Sequence, residues 1–475
     1  MEKNEEFEVT ITDMTEEGLG VGKTFDARSS SDAGFPWFVK DAVIGDRVIS
    51  AATKVKKSYG FARLVKILEA SSDRVPARCP IARACGGCQL EELSYEAQLK
   101  FKADKVLSCL TRIGGFSPES FVFEPVIGME NPWRYRNKAQ YPVAKDRNGH
   151  AAAGFYAGHT HSVIPCSDCM IGSERNKEIL STVLAYMKKC HVEPYDEVSG
   201  KGTVRHVLIR ESRAFGDVMV CLVINADRLK ESDVLVSMLA AACPFVSTVS
   251  LCINKENTNV ILGEKVITLS GSGYIEDTIG DVRFRISPQS FFQVNPVQVE
   301  KLYGKALSYA GLHGSETVWD LYCGVGTISL FLAKHAGKVF GVEIVPQAIE
   351  NAKENAALNG IENAYFEAGK AEEVTPRWLS GHLPGEAVFP GASEELSHPD
   401  VICVDPPRKG CDPVCIDTIL KAAPDRVVYV SCDPATLARD CKLLSEGGYR
   451  LEKACPVDLF PQTIHVETVC LMSRK

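Results

Sequence analysis

No stretch of this 475-residue chain approaches the ~18–20 consecutive apolar residues of a membrane-spanning helix. A membrane partner is therefore not expected. The opening residues, MEKNEEFEV, are acidic and lack the apolar core of a secretory signal, so a cytoplasmic protein is expected. There is no excess of positive charge. Lys and Arg number 53 against 61 Asp and Glu, a net charge of −8, which by itself argues against a nucleic-acid binder. No internal repeat is evident, which sets aside repeat architectures. What is present is ordinary for a soluble globular protein, with 45% hydrophobic and 24% charged residues. At ~150 residues per domain the length suggests about three domains. A monomer is the default expectation for its oligomeric state.

The charge is unevenly spread. Between Asp46 and Lys66 stand Arg47, Lys54, Lys56, Lys57, Arg63 and Lys66 against a single acid. This segment belongs to five short strand-like runs: FEVTITDM, GLGVGKT, PWFVKDAV, DRVISAATKV and GFARLVKIL. Five strands in so short a span predict a small OB-like β-barrel over residues 1–68. Cations interleaved with Phe35, Trp37, Phe38, Tyr59 and Phe61 suit RNA, the cations for phosphates and the rings for unstacked bases.

Residues 69–284 read as an α+β domain. A Cys-rich turn region precedes a helix, LSYEAQLKFKADKVLSCLTRIG, that stops at Gly114-Gly115. The strand-like runs RHVLIRES, DVMVCLVINA, TVSLCIN and NVILGE follow and predict an antiparallel sheet. From residue 285 to 475, strands and helices alternate as in a doubly wound, mostly parallel sheet. Pro376 to Pro399 is Pro- and Gly-rich and reads as a surface insertion.

Cysteine is plentiful, at 18 residues. In a reducing cytosol most would be small buried apolar groups. Cys221, Cys252, Cys403 and Cys470 lie in apolar runs and fit that reading. Cys79-x5-Cys85-x2-Cys88 and the CSDC pair, Cys166 and Cys169, do not. Three close thiolates and a distant fourth suit a four-thiolate metal site, and their chemistry leaves zinc and iron–sulfur open.

WDLYCGVGTISLFLAKH, Trp319 to His335, reads as strand, Gly-rich turn and helix. Gly324 and Gly326 let a ligand approach the backbone. Glu343 ends the next strand, where it can accept hydrogen bonds from a ribose diol. A dinucleotide fingerprint would have its third Gly at Ser329. With Asp320 before the turn and DPP after the fourth strand, the set fits S-adenosylmethionine better than NAD.

Asp405-Pro406-Pro407 ends one apolar strand and Cys432 ends the next. Both fall at the sheet edge where such folds bind ligands. Asp405 can accept a hydrogen bond from a base N–H. Cys432 precedes a helix, whose N-terminus is expected to favour thiolate. Most methyl transfers need no nucleophile, so a thiol here points to a poorly nucleophilic acceptor such as C5 of uracil. Thiolate attack at C6 would make C5 carbanion-like. A base must then remove the C5 proton. Glu467, early in the apolar strand of TIHVETVCLMSRK, is the candidate, with a pKa expected to be raised. Methylation of a ring nitrogen or exocyclic amine would leave Cys432 idle. A non-catalytic RNA-binding scaffold would leave Cys432, Asp405 and Glu467 unexplained.

With these pieces in place, the chain resembles the RNA (uracil-5-)-methyltransferase family from about residue 7 to residue 473. NPWRYRNKAQYPV resembles its central-domain signature. SPQSFFQVNP, DLYCGVGT, DPPRKG, SCDPATLARD and HVET resemble its catalytic segments, in the same order. The resemblance implies an N-terminal TRAM barrel, a central α+β domain carrying a cluster, and a class I S-adenosylmethionine-dependent methyltransferase domain. It implies Cys432 as the nucleophile and Glu467 as the base. Gln293, Tyr322, Glu343 and Asp405 would line the cofactor and uracil sites, beside Gly324, Gly326 and Thr327. Phe291 or Phe292 would stack on a flipped base. The chain departs from the family at Lys370, where an acid would meet the adenine amine, leaving Glu372 or a backbone group for that role. The cysteine spacing resembles the family's 4Fe–4S branch, with Cys79, Cys85, Cys88 and Cys169 as ligands and Cys166 in reserve. That branch implies 23S rRNA rather than tRNA as the partner.

Overall fold

The computed structural model describes residues 2–25, 34–158, 160–379 and 398–475. They form two compact units. One comprises Met1–Lys105, Phe155–Ile164 and Phe460–His465; the other comprises Val106–Gly154, Pro165–Leu459 and Val466–Lys475.

The first unit holds a closed barrel of β1 (Glu6–Met14), β2 (Gly20–Thr24), β3 (Phe35–Lys40), β4 (Arg47–Val55) and β5 (Gly60–Glu69), in the order β1-β2-β3-β5-β4. Strict alternation in β1 sends Phe7, Val9 and Ile11 inward. They pack with Trp37, Val39 and Val48. A second small core joins Met14, Val43, Leu90, Leu93 and Phe101. Phe101 lies on helix α1 (Tyr95–Arg112), whose Gln98 Nε2 donates to Gln462 Oε1 at 2.9 Å.

Two large sheets lie mainly in the second unit. The first is built from β7 (Lys138–Lys145), β8 (Ala151–Tyr156), β9 (Val163–Pro165), β10 (Val204–Glu211), β11 (Val218–Ile224), β12 (Val246–Ile253) and β13 (Lys265–Ser270), in the order β13-β12-β11-β10-β7-β8-β9. Helices α2 (Asn176–Lys189) and α3 (Ser232–Ala242) accompany it. β10 and β11 are almost wholly buried. The sheet is mixed rather than antiparallel, because β11 and β12 run parallel with α3 as their crossover. NVILGE is a loop, not a strand. Asn254 Nδ2 donates to the carbonyls of Val260 and Ile261, taking acceptors that a ladder would need.

A hairpin of β14 (Ile275–Ile279) and β15 (Val282–Ile286) leads to helix α4 (Pro296–Ala310). The second sheet then alternates strand and helix: β16 (Thr317–Leu321), α5 (Thr327–Ala333), β17 (Lys338–Glu343), α6 (Pro346–Leu358), β18 (Ala364–Ala368), α7 (Ala371–Leu379), β19 (Val401–Val404), α8 (Pro413–Ala422), β20 (Arg426–Ser431), α9 (Pro434–Glu446), β21 (Tyr449–Val457) and β22 (Glu467–Arg474). With β6 (Val122–Phe123) at its edge, the strand order is β18-β17-β16-β19-β20-β22-β21-β6. The strands from β18 to β20 are parallel, and β22 inserts antiparallel between β20 and β21. The order reverses between β16 and β19, so the crevice of this sheet opens between the Gly loop and the DPP loop. The insertion expected at Pro376 to Pro399 lies mostly outside the described residues; its first four residues complete α7.

Candidate active site

β16 runs buried into the Gly loop, where the backbone changes hand. Tyr322, Gly324 and Gly326 all have positive φ, at 70°, 56° and 82°. A Cβ on Gly326 would press on Ala352 and Phe366 at 3.2 Å, so the third position of this turn needs glycine both for φ and for space. Glu343, at the end of β17, accepts N–H donors from Gly324 at 3.2 Å and Val345 at 3.0 Å. Each carboxylate oxygen so engaged keeps a further acceptor site. Thr327 Oγ1 pairs with the Tyr303 hydroxyl at 3.0 Å, joining α5 to α4. Asp320 is fully buried with Ser329 Oγ on one oxygen and no partner on the other. Burial pushes its carboxyl up to about 7. This loop, with an acid across from it and a buried unpaired acceptor beneath, fits an S-adenosylmethionine-type ligand.

Lys370 does not enter that space. Its ammonium pairs with Glu373 at 2.7 Å on the exposed side of α7, while Glu372 is half-buried.

Cys432 lies between the last residue of β20 and the first turn of α9. Ser431 pairs with Thr468 in the antiparallel β20–β22 ladder. Cys432 and Glu467 are the next residues beyond that pair, and the Glu467 charge acts on the Cys432 thiol. Asp405 follows β19, the neighbour of β20 on its other side. The charges of the two carboxyl groups act on the thiol, and Arg408 is a cation that acts on Cys432 and Glu467. Burial, reinforced by the Asp405 charge and opposed by Arg408, pushes Glu467 up to about 8. Burial pushes Asp405 up to about 7. The Asp405 charge thus opposes ionisation of Glu467.

Burial, then the charges of Glu467 and Asp405, push Cys432 up to about 11. The expectation that the helix N-terminus favours thiolate is corrected by the capping geometry. Asp433 Oδ1 accepts from the N–H groups of Ala435 and Thr436, both at 3.0 Å. The amides that would have stabilised a thiolate already serve the cap.

The rest of VSCDPATLARD holds the neighbouring loop. Thr436 Oγ1 donates to the Arg408 carbonyl at 3.1 Å, and Arg439 Nη2 to that of Lys409 at 3.0 Å. Buried Asp440 accepts from Cys411 N–H at 2.8 Å and from the Tyr429 hydroxyl at 2.6 Å. Gly410 has φ 78°, and a Cβ there would meet Arg439 and Asp440 at 2.4 and 2.6 Å. Arg408, Thr436, Arg439 and Asp440 were not singled out from the sequence, although all four stand inside motifs that were.

The loop from Ser287 to Asn295 presents Gln293 and the two phenylalanines. Phe291 is 67% exposed, whereas Phe292 is 2% exposed and packs on Phe284 at 5.8 Å. Of the two rings expected to meet a base, Phe291 alone is available. Gln293 is buried; its carbonyl accepts from Asn137 Nδ2 at 3.2 Å. Tyr322 is half-buried, and burial beside Cys415 and Cys411 raises its phenol.

The barrel aromatics also divide. Trp37 is buried in its core against Phe7 at 4.3 Å. Phe38, Tyr59 and Phe61 form a half-buried ring cluster with centroids 5.5–5.7 Å apart, and Lys56 lies 4.7 Å over Tyr59. Cys79, Cys85 and Cys88 are half-buried in the first unit; Cys166 and Cys169, also half-buried, belong to the second. Among the described residues no group of three or more His, Cys, Asp or Glu is arranged to hold a metal ion. Nor is any described helix long and apolar enough to cross a membrane.

Comparison with known proteins gives concordant results. Residues 253–475 match the family model described as tRNA (uracil-5-)-methyltransferase, and residues 2–65 match the TRAM domain. An uncharacterized RNA methyltransferase of Halalkalibacterium halodurans is 46% identical over 473 residues, 100% of this chain and 98% of the relative. One from Clostridium acetobutylicum is 45% identical over 474 residues, with 100% and 98% covered. Among solved structures, the Pyrococcus abyssi tRNA (uracil-54, C5)-methyltransferase in complex with S-adenosyl-L-homocysteine is 26% identical. It aligns with a TM-score of 0.75 over 98% of this chain and 100% of that one.

Proposed function

We propose, from the premise that this chain belongs to the RNA (uracil-5-)-methyltransferase family, that it methylates uridine C5 through a covalent bond between Cys432 and C6. The observation that supports this reading is the β20–β22 register, whose last pair is Ser431–Thr468, together with the effect of the Glu467 charge on the Cys432 thiol. A methyltransferase acting on nitrogen has no use for that thiol and carboxyl.

Bound S-adenosylmethionine supplies an electrophilic methyl group. Gly324, Gly326, Thr327 and Glu343 hold it at the crevice, with Gln293, Tyr322 and Asp405 lining the cofactor and base pockets. Phe291 stacks on the extruded uracil, and Asp405 accepts its N3–H. Cys432 Sγ bonds to C6 as the thiol proton passes to O4, and the C5–C6 double bond gives way to an enol. The raised thiol makes this step dependent on the bound, polarised ring rather than on a standing thiolate, which also spares Cys432 from adventitious alkylation. C5 then takes the methyl group that the cofactor would supply, and O4 releases its proton to solvent. Glu467, ionised, removes the C5 proton; the double bond re-forms, the Sγ–C6 bond breaks, and the leaving thiolate takes a proton back from the Glu467 carboxyl, which restores both groups. A carboxyl near 8 is a stronger base than an ordinary glutamate, and that suits this last step.

The RNA is proposed to be 23S rRNA, on the resemblance of the cysteine spacing and barrel to the family's iron–sulfur branch. The second reading is a tRNA uridine, favoured by the tRNA substrate of the Pyrococcus abyssi neighbour. Cys79, Cys85, Cys88 and Cys169 are proposed as ligands of a 4Fe–4S cluster, with Cys166 in reserve. The donor set fits by its chemistry: four half-buried thiols, with Gly87 N–H donating to Cys85 Sγ at 3.4 Å. No catalytic step passes through it. The proposed domain limits remain 1–68, 69–284 and 285–475, and the enzyme is proposed to work in the cytoplasm as a monomer.

Mapping 5-methyluridine in the rRNA and tRNA of a deletion strain tests the function. Loss of the base at one or more rRNA uridines, restored by the parent chain but not by Cys432→Ala, is expected. Unchanged 5-methyluridine in both RNAs would refute it.

A further inference from the structure

Lys138 and Arg210 are directly opposed in the antiparallel β7–β10 ladder, so both side chains lie on one face of that sheet. Neither is neutralised. Arg210 is 1% exposed; its Nη2 donates to the Ser290 carbonyl at 3.0 Å, while Nε and Nη1 are buried without partners. Lys138 is half-buried, and its ammonium makes no hydrogen bond or ion pair among the described residues. The acid whose charge acts on Arg210 is Asp277, and its oxygens already accept from the amides of Arg213, Ala214 and Thr278. Burial and the adjacent guanidinium push the Lys138 ammonium down to about 8, and burial pushes Arg210 down to about 10. Two adjoining, desolvated and unpaired cations are costly to a fold. An anion that arrives on binding would repay them.

Their position indicates which anion. Arg210 and Asn137, which precedes Lys138, grip the loop that carries Phe291. Arg210 donates to the Ser290 carbonyl, and Asn137 donates to the Gln293 carbonyl from its side chain and to the Val294 carbonyl from its backbone N–H. Phe291 stands exposed between those anchors. We infer that Lys138, backed by Arg210, is a binding site for an RNA phosphodiester next to the base that Phe291 receives. This rests on the RNA reading given above. Extrusion of a nucleotide needs its backbone held as well as its base, and the lysine supplies the accessible contact while the buried arginine supplies field and loop anchorage.

The test is a coupling cycle. A labelled nine-residue oligouridylate, and a set each carrying one uncharged methylphosphonate linkage, are titrated against the full-length protein by anisotropy. The parent, Lys138→Ala, Lys138→Gln and Lys138→Arg are compared. At one linkage the methylphosphonate should weaken the parent by about tenfold but the Ala and Gln variants by less than about twofold. The Arg variant should restore the sensitivity. The Ala variant should also lower the salt slope of binding by about 0.7 and leave S-adenosylmethionine affinity unchanged. Equal methylphosphonate effects in parent and variants at every linkage would overturn the site. So would a loss of cofactor affinity in place of the coupling. A parent that methylates RNA yet shows no coupling refutes the phosphate site alone. A parent that neither binds oligouridylate nor methylates RNA refutes the function with it.

Discussion

Ser431 and Thr468 pair at the end of the β20–β22 ladder, and Cys432 and Glu467, the next residues on the two chains, are near enough that the Glu467 charge raises the thiol. The antiparallel insertion of β22 beside β20 is what creates this pairing. In an all-parallel sheet the two would lie at opposite edges.

Removing the base should stall the reaction after methyl transfer. Glu467→Gln keeps the shape of the side chain but cannot accept the C5 proton. With RNA and S-adenosylmethionine it should accumulate a protein–RNA adduct on denaturing gels, and multiple turnover should fall by ~10²–10⁴-fold. Wild-type turnover by this variant would remove Glu467 from the chemistry.

The same group sets a pH dependence. Glu467 must be ionised to act, and its value is pushed up to about 8. The single-turnover rate of product release should therefore climb from about pH 6 to about pH 9 in the parent. The climb should be absent from Glu467→Gln.

Stability should move the opposite way with pH. The folded value of Glu467 lies above its ordinary 4.5. The unfolded chain thus loses this proton first as pH rises, and the native state is progressively disfavoured between about 4.5 and 8. Glu467→Gln removes that penalty. Its stability relative to the parent should rise by roughly 3 kcal/mol between pH 5 and pH 8, as read from urea midpoints at the two pH values.

The DPPRKG loop depends on α9. Asp440→Ala leaves the Cys411 amide and the Tyr429 hydroxyl without their buried acceptor. A cost of ~3–5 kcal/mol is expected. Asp440→Asn can still accept both of these hydrogen bonds on its one amide oxygen, losing only the acceptor that faces Arg439, and should cost less. Thermal melting of both variants checks the order.

Much of this was legible in the sequence, for physical reasons. The barrel strands alternate at period two, and each parallel strand is a short apolar run ending in a turn residue, so both were placed closely. The Gly pair, Glu343, Asp405 and Cys432 lie at strand ends, where topology alone brings them to one edge. Other features depend on side-chain geometry that spacing does not encode. The strand-like pattern of NVILGE lost to hydrogen bonds from Asn254. Asp433 took the helix amides expected to serve Cys432. Phe291 and Phe292 are neighbours in sequence, yet only the fold decides which one is buried. Lys138 and Arg210 are 72 positions apart and meet only through the β7–β10 register.

The central claim is the covalent bond at Cys432. RNA substituted with 5-fluorouridine gives the most direct measurement, because fluorine at C5 cannot leave as a proton. Incubated with S-adenosylmethionine and the parent protein, such RNA should yield a stable adduct. Mass spectrometry of its tryptic peptides should place a methylated 5-fluorouridine nucleotide on Cys432, and Cys432→Ala should form none. Full methylation of natural RNA by Cys432→Ala, or a protein active on natural RNA that forms no adduct, would contradict the account.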